Sequence, residues 1–227
     1  MADIKVLRKV PIFSSMPEAE LQKLSNMAVK MNYPREKVIF FEEDEGDTLF
    51  VINSGRVKIS KISDDGKEII LSILAAGDFF GEMALLDGEL RSATVIAMEK
   101  TEVSAIRRRQ FHEIIKENPQ LSIDLLAIMS QRLRDANRKI GNLALLDVYG
   151  RLARMLLDYA DQEGEELSDG SISFKRPTHQ AIANMIGTSR ETVTRTLGDL
   201  HRRGYIEISG KNIIVKNLDE DDFDDFH

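Results

Sequence analysis

Residues 81–95, GEMALLDGELRSATV, place Glu82 and Arg91 inside a stretch otherwise apolar enough to be buried. A carboxylate or a guanidinium is costly to remove from water unless something pairs with it. Two answers fit the spacing. The two side chains could close on each other as an ion pair, or the guanidinium could serve an anion. Its planar fork of donors matches the two free oxygens of a phosphodiester. Glu82 cannot hold a phosphate, yet it is a good acceptor for sugar hydroxyls.

A second chemical stretch is THQAIANMIGTSRETVTRTLGDL, residues 178–200. Ile182, Ile186, Val193, Leu197 and Leu200 make one apolar set. Ala183 is small where two helices would cross, and Gly187 falls where a tight turn wants positive φ. The spacing predicts a helix-turn-helix, with Thr188-Ser189-Arg190-Glu191 as a capping box for its second helix. Arg190, Glu191, Thr194 and Arg195 then share an outward face. Arginine forks match guanine O6 and N7, and a carboxylate can accept from cytosine N4. The plainer alternative makes Glu191 a capping acid and Glu191–Arg195 a surface pair. Base reading is favoured because Lys175, Arg176, Arg202 and Arg203 flank the stretch and suit phosphates. Thr178, Gln180 and Ser189 are placed for the same backbone. The following YIEISGKNIIVKN reads as a two-strand wing.

The whole-chain charge of −7 hides this local basicity. Six of the acids lie between Asp219 and Asp225, in a tail expected to be solvated and disordered. With 42% hydrophobic and 30% charged residues over 227 positions, the composition is that of an ordinary globular protein. No apolar run approaches the roughly 20 residues that span a bilayer. The opening MADIKVLRKV lacks a secretory core, which points to the cytoplasm without a membrane partner. Zero cysteines exclude disulfides, cysteine-held iron–sulfur clusters and a thiol nucleophile.

The elements that must position these residues follow from periodicity. Residues 12–30 predict a short helix capped by Ser14 or Ser15. Residues 33–111 predict many short strands with turns at Gly46, Gly55, Gly66, Gly77 and Gly88, the texture of an antiparallel barrel or roll. From Asn118-Pro119 the period becomes helical. Leu126, Leu133 and Ile140 recur every seven residues, with Met129, Ala136 and Leu143 offset by three, a narrow seam suited to a partner helix. Packing on the chain's own roll is the competing reading. Gln131, Arg132, Arg134, Asp135, Arg138 and Lys139 leave little other apolar face, which favours a homodimer. Asp147 is placed to cap the next helix and to mark a hinge.

A roll, a long helix and a C-terminal winged helix together resemble the bacterial cAMP receptor protein and FNR family of transcription regulators. The resemblance covers nearly the whole chain. FGEMALLDGELRSATV is similar to that family's phosphate-binding cassette, GNLALLDVYGRL to its hinge and GTSRETVTRTL to its recognition helix, the last two pointing to the cAMP-receptor branch. The implied fold is α+β: a cyclic-nucleotide-binding antiparallel β-roll at 1–117, a dimerisation helix and hinge at 118–147, a winged helix-turn-helix at 148–218 and the acidic tail at 219–227.

The resemblance further implies that Arg91 and Ser92 hold a cyclic phosphate, that Glu82 takes the ribose hydroxyl, and that the backbone of Gly81, Glu82, Met83 and Ala84 adds donors. Cyclic AMP is the implied effector. Palindromic double-stranded DNA and a second copy of the chain are the implied partners, with RNA polymerase a further one. At the family's base-reading Thr-Ser pair this chain has Ala136-Asn137. Ala136 offers no side-chain hydrogen bond. Asn137 offers a donor and an acceptor, or simply a polar position fixing dimer register. Cyclic GMP, a cyclic dinucleotide or no nucleotide therefore stay open. A haem sensor of the same fold is disfavoured because His112, His179, His201 and His227 all lie outside the expected roll strands. The same inventory disfavours a metal-dependent barrel enzyme, and no catalytic residue or metal ligand is assigned. A cyclic-nucleotide-binding regulatory subunit would account for the cassette alone, leaving the helix-turn-helix unexplained.

Overall fold

The computed structural model describes residues 4–216 and divides the chain into two compact units, 1–134 and 135–227. The acidic tail from Asp219 lies outside the described residues. The first unit opens with α1 (Ile4–Lys9), a 3₁₀ turn (Pro11–Phe13) and α2 (Glu18–Met27). Eight strands follow: β1 (Val29–Tyr33), β2 (Val38–Phe40), β3 (Thr48–Ser54), β4 (Arg56–Ile62), β5 (Glu68–Ala75), β6 (Phe79–Phe80), β7 (Thr94–Ala97) and β8 (Thr101–Arg107). A short α3 (Glu82–Asp87) sits between β6 and β7; α4 (Arg108–Glu117) and α5 (Pro119–Leu145) follow β8.

The strands form two four-stranded sheets, β1-β8-β3-β6 and β2-β7-β4-β5, with every pairing antiparallel. Their packing follows from the period of two along a strand. On β3, Leu49 and Val51 join one core with Phe13, Leu21, Phe111 and Leu125 of the helices. The intervening Phe50 and Ile52 join another with Val57, Phe80, Val95 and Val103 between the sheets. β3 is thus buried on both faces, by helices outside and by the sister sheet within.

Three expectations change here. The predicted helix over 12–30 is confined to Glu18–Met27, and Val29–Tyr33 is an edge strand paired to β8. Neither Ser14 nor Ser15 caps it: Ser14 Oγ donates to Pro11 O and Ser15 Oγ to Asp124. Helical structure resumes at Arg108, ten residues before the expected switch. On α5 one face packs on the chain's own roll, and the stripe expected to meet a partner helix stays exposed. Leu121 and Leu125 are buried in the helix-facing core, with Ile128 and Met129 packed against it. Leu126, Leu133 and Ile140 stay more than 60% exposed. Met129 therefore leaves the predicted seam and serves the chain's own core.

The second unit contains α6 (Val148–Glu163), β9 (Glu165–Glu166), β10 (Ile172–Lys175), α7 (His179–Ile186), α8 (Arg190–Arg202), β11 (Ile206–Ser209) and β12 (Asn212–Val215). The expected wing is the β11–β12 hairpin. The sequence did not signal the two strands that extend it to β11-β12-β10-β9. Leu156, Ile182, Val193, Leu197, Leu200 and Ile213 build its core. Asp147 caps α6 as expected, accepting from Gly150 N at 2.8 Å. Replacing it by Ala should lower stability in urea titrations by about 1 kcal/mol while Asp147→Asn retains most of it; equal losses in both would remove capping as the cause.

Candidate nucleotide and nucleic-acid sites

Glu82 and Arg91 are both 95% withdrawn from solvent, and they are not partners. The Glu82–Arg91 bridge allowed by the sequence is replaced by a different arrangement. Arg91 Nη1 donates to Gly81 O at 2.7 Å and Nη2 to Thr48 O at 2.9 Å. Its Nε is buried without a partner. The guanidinium carbon stands 4.2 Å from the Phe40 ring centre and 5.8 Å from that of Phe50. Phe50 stacks on Phe80 at 5.1 Å, so the cation rests on an aromatic floor. Among the described residues it has no ion pair. Burial pulls its pKa below the usual arginine value, opposed by the more distant charges of Asp47, Glu82 and Asp44. It remains a cation.

Gly81 makes this close approach feasible. It stands at φ +80° before α3, and a Cβ there would fall 2.7 Å from Arg91 Nη1 and 2.9 Å from Thr48 O. Any larger residue would push the guanidinium off its carbonyls and adopt a strained left-handed backbone. Met83 is half exposed, Ala84 is buried, and exposed Ser92 directs its hydroxyl to Met83 Sδ at 3.4 Å.

The partner of Glu82 is Arg132 of α5. Nη1 of Arg132 meets Glu82 Oε1 at 2.8 Å, Nη2 donates to Phe79 O at 2.7 Å, and the guanidinium lies 4.6 Å over the Phe79 ring. Heptad reasoning had assigned Arg132 to the polar surface, and only tertiary contact reveals it. Arg108 was missed in the same way: its Nη2 bridges Gly46 O and Ala84 O, tying the loop before β3 to α3. Ala136 and Asn137 are exposed on α5.

In the second unit, Thr178 caps α7 by accepting from Ala181 N, and Gln180 donates to Asn184. Gly187 closes α7 at φ +65°, as the turn required. The predicted Thr188–Glu191 capping box does not form. Ser189 is the cap instead, accepting from Thr192 N at 3.1 Å. Arg190, Glu191, Thr194 and Arg195 are all exposed on one face of α8, and no ion pair joins Glu191 to Arg195 among the described residues. Exposed Lys175 and half-buried Arg176 lie before α7; Arg203, just beyond α8, faces the Tyr149 ring, and Arg202 pairs with Asp199. The exposed cap and cationic side chains of α8 have the composition of a surface that meets a polyanion.

Comparison with known proteins decides the lineage. The family model for the "Cyclic nucleotide-binding domain" matches residues 30–118, and that for the "Crp-like helix-turn-helix domain" matches 150–220. The chain belongs to the CRP/FNR family of transcription regulators. It is 39% identical over 184 residues to the "cAMP-activated global transcriptional regulator CRP" of Escherichia coli O6:H1, covering 81% of this chain and 87% of that one. It is 30% identical over 213 residues to the "CRP-like cAMP-activated global transcriptional regulator" of Mycobacterium tuberculosis, covering 94% and 95%. A solved structure described as the "c-di-GMP Responsive Global Regulator CLP" of Xanthomonas campestris matches with a TM-score of 0.77 and 25% identity, over 89% and 100% of the two chains. Within this family the chain is a DNA-binding regulator with a cyclic-nucleotide-binding domain and a winged helix-turn-helix.

The Glu82–Arg132 pair carries a testable consequence for stability. Arg132→Leu leaves a buried carboxylate without its cation, and should cost about 2–3 kcal/mol by urea unfolding, the partial exposure of Arg132 keeping it at the lower end. The double variant with Glu82→Gln should recover a large part of that loss. No recovery would mean that Arg132 acts through packing alone.

Proposed function

We propose that the chain is a homodimeric, cytoplasmic regulator that binds a cyclic nucleotide, with cyclic AMP favoured, and thereby changes its grip on palindromic DNA. One observation carries the effector half. Arg91 is a buried cation that, among the described residues, is held by two backbone carbonyls and aromatic faces with no carboxylate bonded to it. A charge so desolvated is expensive unless an anion completes it. A cyclic phosphodiester supplies a single negative charge and two free oxygens for the remaining guanidinium N–H groups. Ser92, exposed at the same strand start, adds a hydroxyl, and the backbone from Gly81 to Ala84 adds amides.

Glu82 is the acceptor for the ribose hydroxyl. Arg132 holds that carboxylate in place, so α5 is chemically tied to the sugar end of the site. Ala136-Asn137, one turn further along α5, is the base-reading position. Without a hydroxyl at 136, discrimination falls to the Asn137 amide, which can serve either purine. Cyclic GMP and a cyclic dinucleotide are therefore the competitors against which cyclic AMP has to be measured.

The stripe Leu126, Leu133 and Ile140 supports a second copy of the chain as the occupant of the exposed face of α5. A symmetric dimer would place two α8 helices about one duplex turn, roughly 34 Å, apart. The hinge at Asp147 is where bound nucleotide would shift the balance between two arrangements, by no more than its difference in affinity for them. RNA polymerase is the downstream partner of such a regulator.

Calorimetry with cyclic AMP, cyclic GMP and cyclic di-GMP tests the effector. Arg91→Leu should abolish binding of whichever nucleotide binds, while the variant keeps salt-sensitive affinity for any duplex; unchanged nucleotide affinity would remove the site. On the DNA side, Arg190→Ala should cost about 1–3 kcal/mol on the preferred duplex and relax preference at one base pair. A uniform loss across sequences would reassign Arg190 to phosphate.

A further inference from the structure

His179 is the first residue of α7, and it is tied to the DNA-facing helix. Its Nδ1 lies 2.8 Å from Thr194 Oγ1 of α8. The threonine hydroxyl has one proton, and that proton goes to Arg190 O at 3.0 Å. Thr194 Oγ1 is therefore the acceptor towards the imidazole, and Nδ1 carries the hydrogen. The neutral ring then keeps a bare lone pair at Nε2, and the cationic ring has an N–H there. The tautomer is fixed by a residue that itself stands on the exposed face with Arg190 and Arg195.

The charged groups bearing on this ring are Arg176, from the segment between β10 and α7, and Arg190, from α8; α7 itself carries no other charged residue. Partial burial first, and then these two cations, hold the ring's pKa below its ordinary 6.5. Both effects favour the neutral ring in the free protein. A phosphate brought to the same surface reverses the balance. It repels the lone pair of the neutral ring and attracts the N–H of the cation, so it raises the pKa it meets.

We propose that His179 is a proton-coupled DNA contact, which sets Nε2 on a backbone phosphate and takes up one proton from solvent as the duplex docks. This rests on α8 facing DNA, and it adds a dependence that Arg190 and Arg195, always charged, cannot provide. The sign follows from linkage. The bound ring has the higher pKa and the free ring the lower. Affinity therefore falls as pH rises through the window between the two, and levels off on either side.

The test is fluorescence anisotropy from about pH 5.5 to 8.5 on two duplexes: one enriched by the protein from a randomised pool with cyclic AMP present, and a scrambled one of the same composition. A phosphate contact ignores sequence, so affinity for both should tighten on acidification, approaching tenfold per pH unit within the window. The salt slope should steepen by about 0.9 between pH 8 and pH 6, one added phosphate contact. His179→Gln should flatten both trends, and His179→Arg should bind tightly at every pH. Histidine ¹⁵N spectra of the DNA-free protein should show hydrogen at Nδ1 and a bare Nε2, in a signal lost in His179→Gln. A pH dependence that persists in His179→Gln, or a free ring protonated at Nε2 instead, would overturn the proposal. Equal affinity for the two duplexes would count against base reading by α8, and the pH arms would still judge His179.

Discussion

A positive charge withdrawn from water has to be answered by a negative one, and Arg91 shows how the fold is arranged around that requirement. Its guanidinium is laid across Phe40 and Phe50 and pinned by the carbonyls of Gly81 and Thr48. Those contacts satisfy geometry and leave the charge itself unanswered. The nearest buried carboxylate, Glu82, is engaged elsewhere, by Arg132. Had Glu82 closed on Arg91, the roll would be self-neutralised and an incoming phosphate would have to displace an ion pair. Instead the two guanidiniums are separated: Arg132 bonds Glu82, and Arg91 is held by carbonyls, the arrangement from which its proposed role toward an anion follows.

The same logic of divided donors recurs on the second unit. Thr194 Oγ1 donates to the Arg190 carbonyl and also lies 2.8 Å from His179 Nδ1. A residue expected to read DNA directly thus also positions a neighbour. Thr178 and Ser189 likewise spend their oxygens on helix caps, at Ala181 N and Thr192 N. These hydroxyls set where α7 and α8 begin, which determines where Arg190 and Arg195 stand.

Much of this was legible because the governing rules are local. The continuous apolar run Leu49-Phe50-Val51-Ile52 of β3 and the helical spacing of Ile182, Ile186, Val193 and Leu197 report burial directly. Gly187 and Asp147 report chain turns and caps. The parts that escaped depend on partners distant in sequence. β1 does alternate, Val29-Lys30-Met31-Asn32-Tyr33, but nearly all of these residues are exposed and the run is short; its pairing with β8 makes it a strand. Arg132 stands between Gln131 and Leu133, at a position the heptad leaves polar, and nothing in a heptad predicts a carboxylate fifty residues earlier. Thr188 and Ser189 are equally good caps in isolation, and packing selects the second. Met129 left the seam because the roll core reaches that far along α5.

The most direct test of the central claim is a crystal structure of the full chain grown with cyclic AMP. The account predicts the cyclic phosphate within hydrogen-bonding distance of the Arg91 guanidinium and Ser92, with the ribose hydroxyl on Glu82 and the Glu82–Arg132 pair intact. An ordered nucleotide bound elsewhere, with Arg91 still resting only on Gly81 and Thr48, would contradict it.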